Sequence, residues 1–331
     1  MGVFGFTDYI TMIITVPEQP TKKRIDAFLA EHGFGTRTLV QRAIDRGLVT
    51  VNGSVCLKSS YRVQEGESIE MQEVPEVEKT AEVILEESEE LYSKVQLIHE
   101  DKEYIVVMKP AGLIVHPTEA KEKVTLAAWV VSKYPDVATV GDSAIRPGIV
   151  HRLDKEASGL LVVARTQKMF EHLKDQFKNR TVEKNYTVLV YGSTATEHGT
   201  IDFIIDRGKE GKMVARPNTQ MTLRNVKEDR SGKEALTEFD VLKRFARYTL
   251  LSVHLHTGRT HQIRVHMYAF NQPVVGDMLY YQKAYFKKND PLLGRLFLHA
   301  SKLCFTTLEN QKVCYEAPLP EELQMYLKKL V

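Results

Sequence analysis

Twenty residues decide how this chain folds: Arg146 to Arg165, which read RPGIVHRLDKEASGLLVVAR. From Gly159 onward the stretch is an apolar run of strand length, which reads as a buried strand. Ahead of it, Asp154 sits in a loop beside Arg152 and Lys155. A carboxylate among cations is either a structural ion pair or a poised nucleophile. The residues alone leave both readings open. His151-Arg152-Leu153-Asp154 superficially matches a kinase catalytic loop. Leu153 interrupts that motif, however, and no glycine-rich nucleotide loop precedes it.

Working outward, short β-branched runs recur. Tyr104 to Met108 predicts a strand, stopped by Lys109-Pro110. Tyr186 to Tyr191 predicts another, closed by Gly192, and Thr249 to His256 a third, closed by Gly258. Between them, Thr166 to Asn179 predicts a helix with Met169, Phe170, Leu173 and Phe177 on its apolar face. Strands dominate, and no strand–helix crossover repeats. The fold class is therefore α+β, built on a mixed, largely antiparallel sheet. There is no phosphate loop, dinucleotide fingerprint or Gly-x-Ser-x-Gly elbow.

The first seventy residues have a different pattern. Ile25, Phe28 and Leu29 share one helical face, and that run ends at Gly33. Thr36 can cap a second helix with Leu39, Val40, Ala43 and Ile44 as its apolar face and Gly47 as its stop. Asn52-Gly53 is a hairpin turn between short strands, and Ser68 to Met71 is a last strand. Tyr9 to Val16 is too short for a membrane span and suits a strand or a disordered extension.

The net charge of +2, from 45 basic and 43 acidic residues, is an average over unlike regions. Residues 1–20 carry −2, residues 21–72 carry +2, residues 73–101 carry −8 and the remainder carries +10. The acidic run reads as a solvated linker. The expected division is an extension over 1–20, a small module over 21–72, a linker over 73–95 and a large domain over 96–331. Cys56, Cys304 and Cys314 are far apart and odd in number, so buried thiols in a reducing cytoplasm are expected. His254, His256, His261 and His266 invite a metal reading, but Arg259 and Arg264 stand among them and would repel a cation. No metal is expected there.

Two resemblances give these features a meaning. RIDAFLA (Arg24 to Ala30), TRTLVQRAIDRGLVTVNG (Thr36 to Gly53) and KSSYRV (Lys58 to Val63) resemble the S-four RNA-binding domain. The resemblance implies RNA-facing roles for Arg37, Arg42 and Lys58. Arg146 to Arg165 resembles the RluA-type pseudouridine synthases. So do KPAGLIVHPT (Lys109 to Thr118), KNYTVLVYG (Lys184 to Gly192), HTGRTHQIRVHM (His256 to Met267), VVGDMLY (Val274 to Tyr280) and LHA (Leu298 to Ala300). The match spans roughly residues 96–320 in the family's order. One departure is Ala157, where a Thr usually precedes the Ser.

The resemblance implies that Asp154 is the essential carboxylate. It would attack the sugar or the base, or deprotonate the sugar. It implies that Arg264 is the basic partner of Asp154 and that Tyr186 stacks on the uracil or relays its proton. It also places Arg152, Arg259 and His261 against RNA. The reaction is an isomerisation, so no cofactor is implied. Large-subunit ribosomal RNA is the expected partner, with a cytoplasmic monomer as the expected state. A transfer-RNA or dual-specificity enzyme is the alternative, as is a non-catalytic RNA-binding assembly protein. A metal-dependent hydrolase using the histidines is a third reading.

Overall fold

A computed structural model of the chain describes residues 11–18, 23–35, 37–72, 88–118, 120–208, 212–217, 232–285 and 293–330. It divides into two units, Met1–Thr80 and Ala81–Val331. Residues 73–87 of the acidic run and Thr36 lie outside the described residues.

In the small unit, β1 (Thr11–Thr15), β2 (Val49–Val51), β3 (Ser54–Val55) and β4 (Ser68–Gln72) form one sheet in the order β1-β4-β2-β3. Asn52 and Gly53 both take positive φ, 48° and 76°, which matches the twist of a two-residue hairpin. Helix α1 (Ile25–Glu31) buries Ile25, Phe28 and Leu29. Helix α2 (Arg37–Asp45) buries Val40, Ala43 and Ile44 in the same core. Thr11–Thr15 pairs antiparallel with β4, so this stretch of the amino-terminal segment is an edge strand of the small sheet.

Among the described residues, the large unit is built on ten strands. They are β5 (Gln96–Glu100), β6 (Tyr104–Lys109), β7 (Ser158–Ala164), β8 (Glu183–Tyr191), β9 (His198–Arg207), β10 (Met213–Pro217), β11 (Lys233–Arg244), β12 (Tyr248–Leu255), β13 (Leu298–Thr306) and β14 (Lys312–Glu316). Their order is β10-β9-β11-β12-β8-β13-β7-β6-β5, with β14 also on β13. Among these named strands every pairing is antiparallel except β13 with β7. All seven residues of β7 are buried, as its apolar sequence requires. Helices α3 (Leu126–Lys133) and α4 (Gln167–Asn179) add Leu126, Val130, Met169, Phe170 and Leu173 to the core around it. Thr166 caps α4 by accepting a hydrogen bond from the Met169 amide at 3.3 Å.

The cysteine expectation is corrected. Cys304 and Cys314 are joined in a disulfide, Cys314 is exposed, and Cys56 is the buried free thiol. Register is the reason: β13 and β14 form a hairpin that sets Cys304 directly opposite Cys314. Ten residues of separation in sequence do not reveal that register.

One close backbone approach holds the parallel pairing together. Gly159 takes φ +127°, and a Cβ added there would lie 2.4 Å from the backbone nitrogen and oxygen of Ala300. Gly159→Ala is therefore expected to destabilise the large unit severely, by more than about 3 kcal/mol, because clash adds to conformational strain. Gly294→Ala, at φ +75° with nothing within 4 Å, should cost only about 1–2 kcal/mol. Denaturant midpoints of the two variants test the difference.

Candidate active site

A row of cross-strand partners crosses the middle of the large sheet. Lys109 opposes Gly159, Gly159 opposes Ala300, Ala300 opposes Tyr186, and Tyr186 opposes Val253. Lys109 is fully buried. Its ammonium donates to the carbonyls of Pro110 and Leu113, each at 2.8 Å, Ala157 at 2.6 Å and Lys155 at 3.3 Å. Two of these acceptors belong to the turn that follows Asp154. The Ala157 amide donates back to the Asp154 carbonyl at 3.2 Å. The loop carrying Asp154 is thus fixed by one buried lysine, whose pKa burial pulls down to about 7, and by its own backbone.

From the other side comes helix α5 (Gln262–Ala269). The Gln262 side chain fixes the loop before it. Its oxygen accepts from the Thr257 hydroxyl at 2.7 Å and from the Arg259 amide at 3.0 Å. Its nitrogen donates to the Leu236 carbonyl at 3.0 Å and the Thr237 hydroxyl at 2.9 Å. One turn of helix brings in Arg264, only 4% exposed. Its guanidinium donates to both carboxylate oxygens of Asp277, at 2.7 and 3.0 Å, and to Asp154 at 3.1 Å. Asp277 is buried and also accepts from the amides of Leu279 and Tyr280, at 2.8 and 2.9 Å. Burial opposes the charge on Arg264, but the two carboxylates outweigh it and raise its pKa above the usual guanidinium value.

The cleft around this pair is small, about 100 Å³. Tyr186, Leu255, Leu298 and Ala157 give it apolar walls, and Arg152, Arg259 and His261 give it polar ones. Burial, reinforced by the Asp154 charge, pushes the Tyr186 phenol up from its ordinary value, so at neutral pH it is protonated. His261 bonds through Nδ1 to the Tyr280 hydroxyl at 3.0 Å, and burial holds its imidazole below the ordinary range. The Arg264 guanidinium lies 5.3 Å from the centroid of the Tyr280 ring. A planar ring can enter this cleft against Tyr186 with a carboxylate beside it.

Asp154, Tyr186, Arg264, Arg152, Arg259 and His261, identified from sequence, all line this cleft. Arg152 is exposed, and the Arg259 Nε donates to the Glu234 carbonyl at 3.1 Å. Arg37, Arg42 and Lys58 belong to the small unit. Arg37 donates to the buried Asp26 at 3.0 Å, beside Arg24 and Gln41, and Lys58 is exposed. The side chain of Arg42 lies outside the described residues. The four histidines do not converge on one point, although His254 and His256 meet edge to face with ring centroids 4.6 Å apart. His254 lies 3.3 Å from the Asn185 oxygen, His256 stands 2.9 Å from Glu238, and His266 is buried apart against Phe203. Among the described residues, no group of three or more His, Cys, Asp or Glu is placed to hold a metal.

Sequence reading assigned no role to Lys109, Gln262, Asp277 or Tyr280. Each lies inside a segment already singled out, Lys109 to Thr118, His256 to Met267 or Val274 to Tyr280. A buried polar residue within a specific motif was the available signal.

Comparison with known proteins identifies the family. Residues 103–269 match the RNA pseudouridylate synthase family, and residues 23–69 match the S4 domain. An uncharacterized RNA pseudouridine synthase of Bacillus subtilis, YlyB, is 38% identical over 96% of this chain and 97% of its own length. The ribosomal large subunit pseudouridine synthase D of Xanthomonas campestris is 32% identical over 95% of this chain and 91% of its own. Among solved structures, human RNA pseudouridylate synthase domain containing 1 is 26% identical. It covers 69% of this chain and 85% of its own at a TM-score of 0.54. No helix among the described residues is long and apolar enough to cross a membrane. With a carboxylate–guanidinium pair in an aromatic-walled cleft and relatives matched along nearly its whole length, the chain belongs to the RNA pseudouridine synthase family and carries an amino-terminal S4 domain.

Proposed function

We propose that the chain isomerises specific uridines in large-subunit ribosomal RNA, with Asp154 as the reacting carboxylate. The observation that carries this reading is the Asp154–Arg264 contact of 3.1 Å in a cleft walled by Tyr186. In this reaction the bond from the base nitrogen to the sugar breaks, the base turns, and carbon five bonds to the same sugar carbon. The proton on carbon five is lost and the freed ring nitrogen regains one, so substrate and product have the same atoms. Asp154 carries the step that frees the base, and Arg264 holds that carboxylate in place through its hydrogen bond at 3.1 Å. Tyr186 stacks on the uracil. With its phenol held protonated, it donates or relays a proton rather than acting as a phenolate base.

A uridine within a helix must leave its stack to enter such a cleft. Arg152, Arg259 and His261 at the cleft support that extrusion by binding the strand it leaves. The small unit adds sequence-independent affinity through exposed cations, Lys58 and the free face of Arg37 among them. Two relatives, from Xanthomonas campestris and Xylella fastidiosa, bear the name of a large-subunit ribosomal enzyme, which favours ribosomal over transfer RNA. We place the protein in the cytoplasm, as a monomer acting on ribosomal RNA during assembly.

In cells lacking the gene, one or more pseudouridines of large-subunit RNA should be missing. Wild-type protein should restore them and Asp154→Ala should not. Losses confined to transfer RNA would move the substrate assignment, and restoration by Asp154→Ala would remove the role given to that carboxylate. Asp277→Asn removes the anchor of Arg264 without touching the substrate. It should lower single-turnover rates about a hundredfold while RNA affinity is retained, the size expected for a misplaced catalytic group. Quench-flow rates and filter binding measured on the same preparations check this.

A further inference from the structure

Beside the Asp154 cleft lies a second, larger cavity of about 430 Å³. The two share Arg152, Tyr186, Leu255, Gly258 and Arg259 as walls. The remaining lining is strongly basic: Arg146, Lys178, Arg180 and Lys184 contribute, and among the described residues no carboxylate does. Among the described residues, none of these four is ion-paired, although ion pairs are common elsewhere in the same unit. Burial, with Arg180 nearby, lowers the Lys184 pKa, so the two cations are close enough to repel. Facing cations without counter-charges are unfavourable unless an anion joins them.

Three further observations point to an occupant. His116 lines the cavity, is 8% exposed, and buries its Nδ1 without a hydrogen-bond partner. Burial together with Arg152 and Arg146 depresses its imidazole to about 4, a sign of the local positive field. Arg180 is the C-cap of α4 with φ 60° and ψ 32°, a left-handed position where glycine is usual. A long cation held in that conformation suggests a use for its charge. The floor is aromatic: His151 stacks on Phe177 with centroids 4.5 Å apart, and Lys184 lies 5.7 Å from the Phe177 ring centre.

We propose that this cavity is a phosphate-binding subsite that holds the RNA backbone flanking the target uridine, with Arg146, Arg180 and Lys184 as its principal contacts. The proposal rests on RNA being the substrate of the Asp154 cleft. The shared walls favour a strand over a free anion. A chain with its uridine against Tyr186 continues past Arg152 and Arg259, and its next phosphates reach the unpaired cations.

Arg180→Gly separates charge from structure, because glycine accepts the left-handed cap without strain. The test measures equilibrium binding of a large-subunit ribosomal RNA transcript to the full chain over a potassium chloride series. Wild type is compared with Arg180→Gly, Arg180→Gly/Lys184→Gln, and Arg146→Gln on a separate loop. The slope of log affinity against log salt should shrink by about 0.7–0.9 for each phosphate that a variant no longer neutralises. The double variant should bind roughly tenfold or more weakly at low salt, and Arg180→Gly should melt no lower than wild type. Unchanged slope and affinity in all three folded variants would overturn the proposal. So would tight binding of inorganic phosphate that the variants abolish while RNA binding stays intact, because the site would then serve a free anion. Pseudouridine formation by wild type is scored in parallel. If it is absent while the salt slope still falls, the subsite stands and the catalytic reading fails.

Discussion

The large unit depends on one buried cation shared by two carboxylates. Arg264 is almost fully enclosed, and a guanidinium in that position is tolerated only if its donors are matched. Asp277 takes two of them in a fork and is itself held by two backbone amides. A further donor points at Asp154. The arrangement is asymmetric by burial: Asp277 is sealed, while the Asp154 side chain keeps 18% of its surface. One acid is an anchor, and the other faces the cleft. The same ion triad is thus sealed at one end and open to the cleft at the other.

The sheet provides the rigidity this triad needs. Asp154 reaches the cleft from the loop before β7, Tyr186 from β8, and Arg264 from the helix after β12. These elements are far apart in sequence but lie on adjoining parts of one hydrogen-bonded surface. The parallel contact of β13 with β7 makes this possible, and it requires Gly159, since a side chain there would strike the Ala300 backbone. Lys109 then ties the turn after Asp154 to the end of β6 through four carbonyls. Such support is what the reacting role proposed for Asp154 requires, since catalysis demands narrow positional tolerances. A second network lies just behind it: the Ser158 hydroxyl meets His299 Nδ1 at 2.9 Å and accepts from Arg295 at 2.8 Å.

Much of this was legible in the chain itself. Periodicity identified α1, α2 and α4, because each buries one face in a local core. Asn52-Gly53 announced its hairpin because both residues take positive φ. Asp154, Tyr186 and Arg264 were singled out through the resemblance of their segments to the pseudouridine synthases, since the residues alone left Asp154 open between a structural ion pair and a nucleophile. What remained hidden depends on register and on long-range pairing. Nothing local says that Cys304 faces Cys314, that Asp277 anchors Arg264, or that Gln262 satisfies four partners at once. Arg37 shows the same limit: from sequence it is a surface cation, while in the fold part of its charge is taken up by the buried Asp26. Net charge was the least informative quantity, since an acidic run masks a strongly basic large unit.

The central claim is that Asp154, held by Arg264, frees a uridine base so that it can rejoin through carbon five. The direct measurement is release of tritium from carbon five of uridine in a large-subunit ribosomal RNA transcript by purified protein. Wild type should release label in proportion to pseudouridine formed. Asp154→Asn should bind the same RNA with similar affinity and release none above background. Equal release by the two proteins would refute the role of Asp154, and no release by wild type on RNA that it binds would refute the ribosomal RNA substrate.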